Sequence, residues 1–165
     1  MYSPSRWSAR GGPSPVDAND LYQEVLLDHF RHPRNHGTLA DGEVLADEEN
    51  PNCGDRIRLA VRLAPDGTVA DIRFDGRGCA ISTASASIMT AHARGRPAGE
   101  LSDLADRFSA MMRAEIPFEE GGVEDLAALA GVRSFPLRVK CATMAWHALK
   151  KALARAAEKP FSGRS

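Results

Sequence analysis

The stretch Arg56-Ile57-Arg58-Leu59-Ala60-Val61-Arg62-Leu63, continued by Ala64-Pro65-Asp66-Gly67-Thr68 and then Val69-Ala70-Asp71-Ile72-Arg73-Phe74-Asp75, decides the fold class. In its first part Ile57, Leu59, Val61 and Leu63 alternate with Arg56, Arg58 and Arg62. That period of two belongs to a strand with one buried face and one basic, wet face. Pro65-Asp66-Gly67 has the make-up of a hairpin turn, since Pro presets one turn position and Gly tolerates the positive φ of another. The last part alternates again, with Ala70, Ile72 and Phe74 on one side, and is expected to be the antiparallel partner.

Upstream, Leu21, Val25 and Leu26 predict a helix behind an Asn19 or Asp20 cap, ended by Pro33 near Arg31. A short edge strand is expected around residues 43–46. Downstream of Gly76-Arg77-Gly78 the period turns helical over residues 80–93, a segment of Ala, Ser and Thr that lets a helix lie close to the sheet, closed by Gly95 and Pro97. Further helices are expected over 101–112, carrying Leu104, Phe108, Met111 and Met112, and over 125–130 between glycines. The last is expected over 139–157, with Ala142, Ala145, Trp146, Leu149 and Leu153 as its apolar stripe. Hairpin strands among helices give an α+β domain, a small antiparallel sheet of about three strands packed against helices. We expect one domain over residues 17–158 with a helical insert at 95–136, and tails at 1–16 and 159–165. The first tail, with Pro4, Pro13, Pro15, Gly11 and Gly12, reads as disordered and lacks the apolar core of an export signal.

Lys and Arg total 21 against 22 Asp and Glu, a net charge of −1, which argues against nucleic acid as a partner. No apolar run approaches the roughly 18 residues of a membrane span, so no membrane partner is expected either. Three cysteines in 165 residues are too few for a disulfide-stapled secreted domain, so a reducing, cytoplasmic setting is expected.

Those cysteines sit where loops meet regular elements. Cys53 lies in Pro51-Asn52-Cys53-Gly54-Asp55, where Gly54 permits a backbone tight enough for Cys53 and Asp55 to share one ion. Cys79 is expected at a helix start, its thiolate facing the positive end of the dipole. Cys141 is expected in the first turn of the last helix, beside Lys140 and near Arg138, which also favour a thiolate. Each cysteine alone reads as a small buried hydrophobe. Together with Asp55 the three supply the four ligands of a tetrahedral zinc, and without a C-x-x-C pair the fold must assemble them from distant segments.

The motifs Pro51-Asn52-Cys53-Gly54-Asp55-Arg56-Ile57, Phe74-Asp75-Gly76-Arg77-Gly78-Cys79, Ala84-Ser85-Ala86-Ser87, Lys140-Cys141-Ala142 and Ala145-Trp146 resemble the iron–sulfur cluster assembly proteins of the NifU N-terminal type, with its IscU-like fold. Leu21-Tyr22, Asp28-His29 and Pro33-Arg34-Asn35-His36-Gly37 extend the resemblance over most of the chain. The resemblance implies that Cys53, Asp55, Cys79 and Cys141 hold one metal ion. It also implies that Cys53 is the catalytic thiol accepting persulfide sulfur from a cysteine desulfurase of the SufS type, and that downstream SUF cluster-assembly proteins are partners. Lys140, where scaffold members carry a histidine, and the long 95–136 stretch resemble the SufU branch, whose members are zinc-dependent sulfurtransferases. Alternatives are a scaffold assembling a [2Fe–2S] cluster, or binding iron, on the same residues, and a protein-binding module with structural zinc.

Other candidates carry less. His29, His32 and His36 share one helix face only if Pro33 does not break it, so a helix end and polar loop are expected there, and the resemblance makes the stretch part of a partner-facing surface. Ser82, Ser85 and Ser87 lack a base at a helical neighbour position, and His92 and His147 lie too far along their helices from Cys79 and Cys141, so hydrolase chemistry has little support. Trp146, Met111 and Met112 are expected in the core. The Arg56, Arg58 and Arg62 face is expected to be solvated, with docking of an acidic partner as the minority reading.

Overall fold

The computed structural model describes residues 15–51 and 54–158. Cys53 and the two expected tails, apart from the helical residues 15 and 16, therefore lie outside the described residues.

The sheet has three antiparallel strands in the order β1 (Ala46–Asn50), β2 (Asp55–Leu63) and β3 (Val69–Arg77). The β2–β3 hairpin closes as expected: Gly67 N–H donates to Ala64 O at 2.9 Å, with Gly67 at φ +87°. One detail of its register differs. Arg62 lies opposite Asp71 but Leu63 lies opposite Val69, so Ala70 is an extra, bulged residue. The bulge returns Val69 rather than Ala70 to the buried face shared with Ile72 and Phe74.

The edge strand is displaced from its expected place. Residues Asp41–Glu43 form a 3₁₀ turn, and the strand begins at Ala46. Its sequence Ala46-Asp47-Glu48-Glu49-Asn50 has almost no apolar alternation, and what pairs it is charge. Glu49 lies opposite Arg56 and Asp47 opposite Arg58. Arg56 grips Asp47 through Nε and Nη2 at 2.9 and 2.6 Å, which holds the Asp47 carboxyl below its usual range. With Arg58 on Asp75 at 2.6 Å, Arg56 and Arg58 are answered by acids of the same sheet and do not form a bare cationic stripe.

Among the described residues, four helices pack with the sheet: α1 (Pro15–Arg31), α2 (Ala80–Ala93), α3 (Ala98–Met112) and α4 (Pro136–Glu158), with a 3₁₀ segment Leu126–Ser134 before α4. The first starts at Pro15, ahead of the expected Asn19 or Asp20 cap, because proline's fixed φ suits a first helical residue. The same rule moves α4: it starts at Pro136, with Arg138 and Val139 N–H both donating to Phe135 O at 2.8 and 3.1 Å. Cys141 is therefore in the second turn rather than the first, and the dipole argument for its thiol weakens accordingly. The segment at 125–130 is a longer 3₁₀ run instead of an α-helix, entered through Asp125 at φ +70°.

The helices lie against the sheet, α4 packing on β1 and β2 and α2 on β3. Trp146 is fully buried and stacks on Phe108 with centroids 4.6 Å apart. Met111 and Met112 are buried as expected, so neither offers a surface to a partner. Among the described residues no helix is long and apolar enough to cross a membrane.

Candidate metal centre

Asp55 is the first residue of β2, and its side chain has the parity of Ile57, Leu59 and Val61, so the strand turns it inward with them. Just before β2, Gly54 at φ +74° donates its N–H to Asn50 O at 2.8 Å, tying the end of β1 to the start of β2. On the other side of the sheet end, Cys79 is the N-cap of α2, as expected, in extended backbone. Its N–H donates to Asp55 Oδ1 at 3.1 Å. Gly78 makes that approach sterically open: a Cβ there would stand 2.2 Å from Ser82 Oγ and 3.2 Å from the Asp55 carboxylate.

The third group comes from α4. Cys141 is buried, its Sγ facing Leu137 O one turn back at 3.9 Å. Cys79 and Cys141 are both free thiols. One ligand atom each from Asp55, Cys79 and Cys141 lie within 4.8 Å of one another. In a tetrahedron with metal–sulfur distances of about 2.3 Å, neighbouring ligands are roughly 3.5–4 Å apart, so these three fit one ion with a contraction of about 1 Å. Two thiols and a carboxylate on three different elements, Asp55 and Cys141 buried and Cys79 half-buried, are a donor set for zinc or iron. Three of the four expected ligands are thus brought together, and the fourth, Cys53, lies outside the described residues.

A cavity of about 720 Å³ opens on the cluster, with Arg77, Arg138 and Lys140 on its walls. Arg138 and Lys140 were expected there. Arg77 was not, although its place between Gly76 and Gly78, two residues before Cys79, was the signal. These cations offset the anionic charge of thiolate and carboxylate ligands. Leu137, 75% exposed, stands at the same opening beside Phe135 at 61%.

Among the histidines, His29 departs from expectation. His29 is 3% exposed and does not face a partner: Nδ1 shares a 2.7 Å bond with Ser87 Oγ, and Nε2 donates to Asp125 at 2.7 Å. Ser87 therefore has a base beside it, brought from α1 and not from its own helix. The line Ser87–His29–Asp125 still gives no hydrolase, because Ser87 is fully buried and its Oγ already accepts the Arg34 N–H at 2.8 Å. His32 pairs with Asp28 in solvent and His36 packs on Phe74 at 5.0 Å, so the three form no metal site. His92 and His147 stay away from the cysteines, His147 bonding Ser109 at 3.2 Å.

A family profile described as "NifU-like N terminal domain" matches residues 21–162. The chain is 44% identical over 140 residues to the zinc-dependent sulfurtransferase SufU of Bacillus subtilis, covering 85% of this chain and 94% of that protein. It is also 44% identical over 139 residues to the iron–sulfur cluster assembly scaffold protein IscU of Streptococcus pyogenes, covering 84% of this chain and 86% of the relative. Its fold superposes on the N-terminal part of a nitrogen-fixing NifU-like protein from Brucella abortus with a TM-score of 0.75 at 25% identity, over 86% of this chain and 98% of that one. Sequence, fold and the Asp–Cys–Cys cluster agree, and the chain belongs to the NifU-like N-terminal domain family, among whose members it is similar to SufU and IscU proteins.

Proposed function

We propose that this chain accepts persulfide sulfur from a cysteine desulfurase at Cys53 and relays it to iron–sulfur cluster assembly in the cytoplasm, with zinc held by Cys53, Asp55, Cys79 and Cys141. The observation that supports this best is the meeting of Asp55, Cys79 and Cys141 within 4.8 Å, with Cys53 two residues before Asp55 in the connection between β1 and β2. The identity to a zinc-dependent sulfurtransferase over 94% of that protein supports the same reading.

When bound, zinc keeps its cysteine ligands deprotonated at neutral pH and brings no redox chemistry of its own. Sulfur transfer is then a thiol–disulfide exchange. The Cys53 thiolate attacks the outer sulfur of the desulfurase persulfide, a new S–S bond forms on Cys53, and the old S–S bond breaks with its electron pair leaving on the desulfurase thiolate. Cys79, at the N-cap of α2, and Cys141, in α4, serve as anchors. Arg77, Arg138 and Lys140 attract the anionic persulfide, and exposed Leu137 and Phe135 offer apolar contact to the docked SufS-type partner. Downstream SUF proteins would take the sulfur onward.

The test is desulfurase turnover with the wild-type chain and with Cys53→Ala. Wild type should stimulate turnover and Cys53→Ala should not; stimulation persisting at the wild-type level removes Cys53 as acceptor. The 44% identity to an IscU favours a second reading, a scaffold for a [2Fe–2S] cluster on the same residues. A coloured cluster reconstituted on the chain without desulfurase stimulation would select it, and zinc with neither would leave a structural role.

A further inference from the structure

We propose that Ser85 is a positioning residue for the metal centre, setting the separation of Cys79 and Cys141 by clamping α2 to α4. The inference rests on the reading of Asp55, Cys79 and Cys141 as metal ligands. Cys79 caps α2 and Cys141 lies in α4, so the distance between their sulfurs depends on how these two helices slide and rotate against each other.

Ser85 on α2 meets Ala142 and Trp146 on α4, and all three are fully buried. Methyl groups allow close approach but fix no register, because dispersion contacts are individually weak and undirected. Ser85 supplies direction. Its Oγ donates to Ala142 O at 2.6 Å and accepts the Trp146 Nε1–H at 3.0 Å. A carbonyl can only accept and an indole N–H can only donate, so the sense of both bonds is settled and the hydroxyl has no alternative arrangement.

Ala142 follows Cys141 in the same turn, so holding its carbonyl holds the turn that carries the thiol. Ser85 lies six residues after Cys79, about 9 Å along a continuous helix, and transmits the constraint to the N-cap. Trp146 is in turn fixed by its stack on Phe108 of α3. Metal–ligand distances in such sites fall within about 0.2 Å of their usual values, so the register of the two helices decides how readily both thiols close on one ion.

The experiment uses the full chain and measures zinc affinity by chelator competition, together with the cobalt(II) spectrum, whose thiolate charge-transfer and d–d bands report ligand geometry. Wild type, Ser85→Ala and Trp146→Phe are compared. Trp146→Phe loses the indole N–H but keeps the bond from Ser85 to Ala142, whereas Ser85→Ala loses both. Ser85→Ala should bind zinc about tenfold or more weakly and shift the cobalt bands, as loss of an outer-shell contact typically does. Trp146→Phe should keep wild-type affinity and spectrum although its melting temperature falls. Wild-type affinity and spectrum in Ser85→Ala overturn the proposal, as does an equal loss in Trp146→Phe, which would make the contact one of packing alone. Should Ser85→Ala not fold, Trp146→Phe still decides, since a loss of affinity of about tenfold or more in that folded variant overturns the proposal. A wild-type chain that binds neither zinc nor cobalt instead removes the metal-centre reading, and this inference with it.

Discussion

The backbone N–H of Cys79 donates to Asp55 Oδ1 at 3.1 Å, joining the start of α2 to the start of β2 at the point where the thiol and carboxylate converge. Under the proposed function the carboxylate has two duties, one toward the amide and one toward an ion, and they can be separated. Asp55→Asn keeps an oxygen for the amide but loses the charge, so the metal-free fold should melt near the wild-type temperature while zinc affinity drops by more than about tenfold. Asp55→Ala should lose affinity and also about 1–3 kcal/mol of stability, because the amide is left without its acceptor. Thermal melts with and without chelator measure both. Equal stability of the two variants would deny the amide bond its role.

Gly76 and Gly78 flank Arg77 and predict opposite failures. A Cβ at Gly76 would meet Arg56 O at 2.2 Å, and Gly76 has φ +143°, so Gly76→Ala collides with the backbone of β2 and should cost more than about 2 kcal/mol of fold stability. At Gly78 the obstacle is the Ser82 hydroxyl at 2.2 Å and then the Asp55 carboxylate, side chains that can move. Gly78→Ala should fold and bind zinc more weakly. Urea denaturation and metal titration of both variants decide it; a Gly78→Ala chain with wild-type zinc affinity contradicts the steric argument.

Those two positions also show which features were legible in the sequence. Apolar alternation from Ile57 to Phe74 carried the hairpin, and helical period carried α2, α3 and α4, because burial of one face leaves a trace in residue type. Strand β1 left none, since Ala46–Asn50 is held by arginines that approach only once β2 is folded beside it. The ligands Asp55, Cys79 and Cys141 could be nominated from their residue types and settings, and the parity of Asp55 with Ile57 could have placed it inward. Ser85, Ser87 and His29 could not be read this way. A serine in an Ala-rich helix looks like a small spacer until the helix that receives its hydroxyl is known, and His29 is 58 residues from Ser87 and 96 from Asp125.

His29 supplies the third prediction. It links α1 to α2 and to Asp125, at the entrance to the 3₁₀ segment, through two 2.7 Å bonds inside the fold. His29→Ala leaves a void and removes a partner from both Ser87 and Asp125, which should cost about 2–5 kcal/mol in urea denaturation. Cys79 and Cys141 are on other contacts, so metal analysis should find the same metal content in the folded variant as in the wild type. A loss below about 1 kcal/mol would mean that packing of α1 alone holds this corner.

The pH dependence of the metal-free fold follows from His92 on α2. Burial, then Arg96 beside it, push its pKa below 6.5, with Glu100 pulling weakly the other way. The unfolded chain takes up a proton near pH 6.5, whereas the folded chain waits for a lower pH. Between those values the unfolded state binds more protons, so stability falls as pH falls. His147, also lowered chiefly by burial, acts in the same direction. Asp28 and Asp47 are lowered below 3.8 by Arg34 and Arg56, so their loss of stability comes only under about pH 4 and does not overlap. Chelator-treated protein should therefore lose stability from pH 6.5 downward, by at most about 1.4 kcal/mol per pH unit for each histidine. His92→Asn should flatten that slope and His92→Asn with His147→Asn should remove most of it. The metal-free state is essential to the measurement, because at the proposed centre acid would also protonate the cysteine ligands and expel the metal. An unchanged slope in the double variant would assign the acid sensitivity of the fold to other groups.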